Sequence, residues 1–417
     1  MARRYLLNNV RLESGFVRDN GWVQRTITQE YTLEIEGDKI IALYEGDHDD
    51  PGMDRVNGEG RLLLPSTRDE HIHLDKTFYG DPWRAARGNN AGDIFQMIAL
   101  EEQLLPRLLP DAQRRTHRLL QLLQEKGTTH VRTHCNIEPT SGLQSLLQLQ
   151  EALIPWREQM HCEIVAFPQH GLLRSNAVTL MKEAMSLGCD WVGGLDPGKV
   201  DGDMVRSLDI TLRLALEAGK GIDYHLHEDK STGIACIRYL LNALRKEPFL
   251  QGKLTLSHAY CLAQTETAEL SELADEMAEL GVSLASGIPL GKSVMPLPFL
   301  REKGVSLLSG TDSVTDHWSP FGSGSMLDKT YDWARLYTRG DEFSLNRSLA
   351  IATGNCLPLN ECGERVWPVV GDEASFILMN ASCSAEVVAR QIAVDAVYFR
   401  GKKVWHKAYT LNNSSCL

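Results

Sequence analysis

The chain reads as an α/β protein: a (β/α)8 TIM-like barrel carrying a small β-sandwich domain formed from both termini. Three observations predict this. Strand-like runs crowd both ends of the 417 residues. The middle alternates short apolar runs with helical stretches, eight times over. Polar residues recur where those runs end, at His71-Ile72-His73, His225-Leu226-His227-Glu228, Ser257-His258 and Gly310-Thr311-Asp312. The expected division is 1–64 for the N-terminal part of the sandwich, 65–364 for the barrel and 365–417 for the C-terminal part.

Taken in order, Tyr5 to Leu12 alternates as a strand does. Thr32-Leu33-Glu34-Ile35-Glu36 and Ile40-Ile41-Ala42-Leu43-Tyr44 flank the turn signal Gly37-Asp38-Lys39. The first barrel strand follows Leu62-Leu63-Leu64 and ends at His71-Ile72-His73. The next seven are His130–His134, Glu163–Phe167, Trp191–Asp196, Ile222–His225, Leu254–His258, Val282–Ala285 and Val305–Leu308. Helical stretches separate them, for example Ala112 to Lys126 and Met204 to Ala218. Strands return in Ala374–Met379, Ala396–Phe399 and Val404-Trp405, with Gly401-Lys402-Lys403 read as a turn.

Composition narrows the function. With 43% hydrophobic residues a sizeable core is affordable. A net charge of −12 and the lack of a basic run argue against a nucleic-acid partner. Nine cysteines, at 135, 162, 189, 236, 261, 356, 362, 383 and 416, never form Cys-x-x-Cys, which disfavours a disulfide framework or a thiolate metal site. No apolar run nears the ~20 residues of a membrane span, and the first residues lack an apolar signal core. The expectation is a cytoplasmic protein with no membrane partner.

The strand-end residues suggest chemistry. Residues i and i+2 of a strand share a face, so His71 and His73 can share one ion. His225 and Asp312 complete a ligand set of imidazole and carboxylate that suits Zn2+ or Fe2+ equally. An ion so held activates a water as a nucleophile near neutral pH. Hydrolysis of a C–N bond also needs proton traffic. Glu228 would protonate a ring nitrogen, His258 would orient the water, and Asp312 would pass its proton to the leaving amine. Each has a plainer reading alone: Asp312 as a helix cap, His258 as a core histidine, Glu228 as a solvated loop residue. Their joint occurrence at four strand ends favours the site.

Other motifs fail. Gly287 to Ser293 has three residues between its glycines where a phosphate-binding loop needs four. His161-Cys162-Glu163 lacks the Pro-Cys-x-x-Cys half of the zinc nucleobase deaminases. There is no Gly-x-Ser-x-Gly elbow.

Over nearly its whole length the chain resembles the amidohydrolase superfamily, in the branch of bacterial cytosine deaminase and N-isopropylammelide isopropylaminohydrolase. The resemblance lies in His71-Ile72-His73-Leu74-Asp75-Lys76, Val131-Arg132-Thr133-His134, Ile164 to Gln169, Val192 to Pro197, Asp223-Tyr224-His225-Leu226-His227, Ser257-His258-Ala259, Asp312 and Trp318-Ser319-Pro320-Phe321-Gly322. It implies one divalent metal on His71, His73, His225 and Asp312, with Glu228 and His258 handling protons, and frequent oligomerisation. Gln169, Glu228 and Trp318 resemble the cytosine deaminases. Lys76, Asp196 and His227 resemble the isopropylammelide enzymes, in which they look substrate-directed, although those carry Asp where this chain has Glu228.

The resulting expectation is a metal-dependent aminohydrolase acting on the exocyclic C–N bond of a pyrimidine- or triazine-like small molecule. Its alternatives are cytosine deaminase proper and a non-catalytic ligand-binding barrel. Lys76 as donor and Asp196 as acceptor would complement a ring imide; their alternative is an ion pair with each other.

Overall fold

The computed structural model describes residues 3–85, 93–290 and 294–408. Met1 and Ala2, Gly291 to Ser293 of the glycine-flanked run, and Cys416 lie outside them. Strands β1 (Arg4–Asp19), β2 (Trp22–Glu36), β3 (Lys39–Glu45) and β4 (Asp54–Pro65) come first. The barrel strands are β5 (Thr67–Ile72), β6 (Thr128–Asn136), β7 (His161–Phe167), β8 (Trp191–Leu195), β9 (Gly221–Leu226), β10 (Leu254–His258), β11 (Ser283–Ser286) and β12 (Ser306–Ser309). Strands β13 (Phe376–Met379), β14 (Val394–Phe399) and β15 (Lys402–His406) close the chain.

The terminal strands form one seven-stranded sheet in the order β15-β14-β13-β4-β1-β2-β3. The expected sandwich thus takes the form of a single sheet that is apolar on both faces. Alternation along β13 shows why: Phe376 and Leu378 join one cluster with Leu63 and Tyr398, while Ile377 and Met379 join another with Leu62, Leu64 and Val397. The second cluster also takes Met326, Leu327, Leu349 and Ala352, and so welds the sheet to the segment after β12. One turn differs from expectation. Lys402 and Lys403 already belong to β15, and Arg400-Gly401 makes the hairpin, with both residues at positive φ (49° and 73°). That is the backbone a two-residue hairpin requires.

β5 to β12 run in sequence order as an eight-stranded sheet of parallel neighbours. Helices cover the outside. Met204–Ala218 shows the pattern: Leu208, Thr211, Leu212 and Ala215 are buried at helical spacing, Asp203 caps its start by accepting from Arg206 N at 3.1 Å, and Gly219 ends it at φ 65°. An exposed Asp229 cap does the same for Lys230–Lys246, accepting from Thr232 N at 3.2 Å, next to Glu228 in the chain.

Closure between the last and first strands is irregular. Asp312 N donates to His71 O at 2.8 Å and His73 N to Asp312 O at 3.2 Å. Below them the Asp69 carboxylate accepts from Thr311 N (3.0 Å) and Thr311 Oγ1 (2.6 Å). Gly310 lies so close to β5 that a Cβ there would sit 2.3 Å from His71 O. Gly310→Ala should therefore displace His71 at an overpacking cost of roughly 1–3 kcal/mol. We expect a lower melting temperature and a lower metal content after purification; unchanged values for both would mean that the seam can yield.

Candidate active site

All four expected ligands meet at the C-terminal ends of the barrel strands. His71 Nε2 and His73 Nε2 lie 3.6 and 3.4 Å from Asp312 Oδ1. His71, His225 and His258 each bring one nitrogen to within 4.8 Å of the others, as do the ligand atoms of His71, His73 and Asp312. His225 stacks on Phe167, with ring centroids 4.1 Å apart.

The electrostatics suit a cation. Burial pushes the His73 imidazole down to about 4, helped by the nearby Lys76 charge. Burial and the neighbouring rings of His134, His71 and His258 likewise hold His225 well below the usual histidine range. These rings are neutral and offer lone pairs. Burial opposes ionisation of Asp312, but its contacts with His71 and His73 outweigh that and hold the carboxyl well below the usual range. Among the described residues, His71 Nε2 and both His225 nitrogens are buried without a hydrogen-bond partner. Orphaned buried nitrogens around one carboxylate fit a divalent ion as donor set. His258, Asp312 and Asp196 also take left-handed backbone (φ 71°, 62° and 35°), which clusters strain at the site.

Glu228 is buried three residues beyond His225 in the chain. Its Oε1 accepts from Gly198 N (2.7 Å) and Lys199 N (2.9 Å). Burial raises its pKa, opposed by those two amides and helped by Asp196 and Asp229. A cavity of about 510 Å³ opens beside it, lined by Lys199, His227, Glu228 and Thr232 among others. Trp318 packs against Ile98, Phe167, Leu195 and Val200, and its backbone N–H is held by Asp316 Oδ1 at 2.7 Å.

Lys76 and Asp196 behave differently from expectation. They do not pair with each other, and neither offers itself openly. Lys76 is fully buried, donating to Asn136 Oδ1 (2.9 Å) and Gln169 Oε1 (2.7 Å) with Glu101 Oε1 at 3.4 Å. Three acceptors match the three protons of an ammonium. Burial works against that charge, but Glu101, Asp75 and Asp316 raise the pKa overall. Asp196 accepts from His227 N (2.5 Å) and lies 3.1 Å from His227 Nδ1. The Gln169 amide N–H2 has no protein acceptor assigned among the described residues, and His227, whose Nδ1 meets Asp196, lines the opening with Glu228.

Several residues escaped the sequence reading. His134, buried with both nitrogens unpartnered, lies 4.2 Å from His71 ring to ring, and forms a further possible ligand group with His71 and Asp223. Its signal was present, since His134 ends a barrel strand as His225 does. Ser257, Asp223 and Asn136 carry buried hydrogen bonds close to the site. Glu101 lies on helix α1 (Ile94–Leu108), where nothing in the sequence ties it to the site. It pairs with Lys76 and with His170 (3.1 Å).

A barrel with candidate imidazole and carboxylate ligands at its strand ends has the form of a metal-dependent hydrolase. A profile described as the Amidohydrolase family matches residues 101–405, and the chain belongs to that family, whose members generally bind a divalent metal. It is a hydrolase of carbon–nitrogen bonds other than peptide bonds. The chain is 51% identical over 402 residues to Uncharacterized protein YahJ of Escherichia coli (strain K12), covering 96% of this chain and 87% of that one. It is 27% identical over 359 residues to N-isopropylammelide isopropyl amidohydrolase of Pseudomonas sp. (strain ADP), covering 84% and 82%. The crystal structure of N-isopropylammelide isopropylaminohydrolase from Burkholderia multivorans matches with a TM-score of 0.83 at 30% identity, over 96% of this chain and 98% of that one. That of 5-methylcytosine deaminase from Klebsiella pneumoniae, at 24% identity, shares the fold, with a TM-score of 0.79 over 98% and 99%. Among the described residues no helix is long and apolar enough to cross a membrane.

His170 yields a pH test. Burial lowers its pKa, but Glu101 and Glu138 outweigh that and lift it to about 9. A histidine raised in the folded state contributes stability fully below its unfolded value near 6.5, and loses it as pH rises through about 9. The contribution is on the order of 3 kcal/mol, from ~1.4 kcal/mol per unit. Denaturant unfolding at pH 6.5 and 9.5 should show that loss in the wild type and its near absence in His170→Gln. Equal losses in both would assign the dependence elsewhere.

Proposed function

We propose that this chain is an aminohydrolase that replaces an exocyclic amino or alkylamino group on a pyrimidine- or triazine-like ring with oxygen. The observation that carries the reading is the set of buried imidazole nitrogens gathered with Asp312, of which His71 Nε2 and both His225 nitrogens lack a hydrogen-bond partner among the described residues, together with an opening lined by Glu228. In this reading His71, His73, His225 and Asp312 hold one divalent ion, Zn2+ or Fe2+. When bound, the ion supplies a water activated for attack on the ring carbon. His258 orients that water. Asp312 accepts its proton and passes it to the departing amine. Glu228 donates from Oε2 to the adjacent ring nitrogen and recovers a proton from the new hydroxyl as the ring carbonyl forms and the amine leaves. Trp318 and Phe167 offer an apolar face to a planar ring.

Substrate recognition falls to two groups. The Gln169 amide donates to a ring carbonyl, and His227 Nε2 accepts from a ring N–H, the complement of a lactam or imide edge. Lys76 and Asp196 serve the substrate from one step behind, by fixing Gln169 and His227. The likeness to the isopropylammelide enzymes supports an N-alkylated triazine. Gln169 and Glu228 favour the second reading, cytosine deaminase proper. The division 1–64, 65–364 and 365–417, a cytoplasmic location and assembly into a homo-oligomer belong to the same proposal; sedimentation tests the last.

The deciding experiment offers cytosine and N-alkylated triazines to the purified protein and measures ammonia and alkylamine release, with elemental analysis for metal. Release of neither from any amino-substituted ring would overturn both readings.

Glu228→Gln should keep near-normal metal content and lose about 10²-fold or more in kcat, the usual share of a general acid–base group. His225→Ala should lose metal and activity together. Metal loss in Glu228→Gln would instead make Glu228 a ligand.

Gln169→Leu should leave metal content unchanged and lower kcat/KM on rings with a carbonyl at the recognised edge. The loss of a buried hydrogen bond costs roughly 1–3 kcal/mol, or about 5- to 150-fold. Rings lacking that carbonyl should lose less. Equal loss on both would make Gln169 structural.

A further inference from the structure

Behind His71, on the side away from Asp312, runs a line of buried polar groups that the steps above leave unused. Ser257 on β10 donates its hydroxyl proton to Asp223 Oδ1 at 2.7 Å, and its oxygen lies 2.9 Å from His71 Nδ1. Both Ser257 and Asp223 are fully buried. A hydroxyl has one proton to give. With that proton on the Asp223 bond, Ser257 meets His71 with a lone pair, so His71 Nδ1 carries a hydrogen and donates it. The proton is thereby placed by the network, and Nε2 is left with its lone pair. Nε2 is also the atom that has no hydrogen-bond partner among the described residues and lies 3.6 Å from Asp312 Oδ1.

The far end of the line is anchored too. Asp223 Oδ2 accepts from Arg132 Nη1 at 3.2 Å, and Arg132 also meets Thr255 (3.2 Å) and Glu163 (3.1 Å) while lying over the Trp191 ring. Four strands contribute: β5 with His71, β6 with Arg132, β9 with Asp223 and β10 with Ser257. The β9–β10 register, which pairs Thr255 with Asp223 and Ser257 with His225, holds the line in place.

We propose that Ser257 and Asp223 are positioning residues for His71, fixing its tautomer and ring orientation so that Nε2 faces the divalent ion, with Arg132 holding Asp223. This rests on the reading of His71 as a metal ligand and adds what orients it. A hydrogen bond to the remote nitrogen of a ligating histidine selects the tautomer, and losing such a partner typically weakens metal affinity 10- to 100-fold.

The test is metal affinity of the full chain, stripped of metal and titrated with Zn2+ against a chromophoric chelator, with circular dichroism of the metal-free protein as a folding control. Ser257→Ala should stay folded and bind Zn2+ 10- to 100-fold more weakly. Ser257→Thr, which keeps the hydroxyl, should remain within about threefold of the wild type. Asp223→Asn, which keeps an acceptor but loses the charge, should fall between. Wild-type affinity in Ser257→Ala, or equal weakness in Ser257→Thr, overturns the proposal. If Ser257→Ala does not fold, Asp223→Asn decides, and wild-type affinity there overturns it. A wild-type chain that binds no zinc overturns the metal reading and this proposal with it; strong wild-type binding that Ser257→Ala leaves unchanged overturns this proposal alone.

Discussion

The seam between β5 and the segment after β12 is the contact on which the rest depends. Asp312 stands about 240 residues from His71 in the chain, yet its backbone N–H donates to His71 O. Two strands meeting edge to edge would ordinarily close with a ladder of backbone bonds. Here Gly310 approaches β5 too closely for a side chain, and the Asp69 carboxylate takes over as acceptor for Thr311. Closing the barrel and assembling the candidate metal centre are thus one event. The last strand cannot seat without delivering Asp312 to His71 and His73.

The candidate site is organised in hydrogen-bonded pairs: the Gly198 and Lys199 amides hold Glu228, Lys76 holds Gln169, Asp196 holds His227, and Ser257 with Asp223 holds His71. Burying this much polarity is unfavourable unless each group is satisfied. Satisfaction leaves each group in one orientation, which is what a site must have before substrate arrives. Glu101 shows the same economy further back, where one buried carboxylate meets Lys76, Asn136 and His170.

Strand-end residues were legible because period-two alternation and strand order are local properties. The His-x-His spacing declared a shared face, and eight apolar runs separated by helices declared a parallel sheet whose C-terminal ends converge. The turn at Arg400-Gly401 was displaced by one residue because two lysines resemble turn residues until their pairing with β14 is known. Lys76 was expected to read the substrate directly, since a lysine near the barrel mouth has an obvious reach. Its ammonium is spent on Asn136, Gln169 and Glu101 instead.

By itself the sequence determined the fold class, the terminal strands as a separate sheet, and the strand ends at which His71, His73, His225, Glu228, His258 and Asp312 stand. Only the tertiary structure decided which buried polar groups meet, such as Lys76 with Gln169 and Glu101, or Ser257 with His71 and Asp223. The reason is physical. How a buried donor is oriented depends on which acceptors it meets, and for Lys76 those come from distant strands and loops and from α1, brought to between 2.7 and 3.4 Å by closure of the barrel rather than by any local pattern. Lys76 and Glu101, 25 residues apart and on different kinds of element, carry no shared periodicity that would announce their contact.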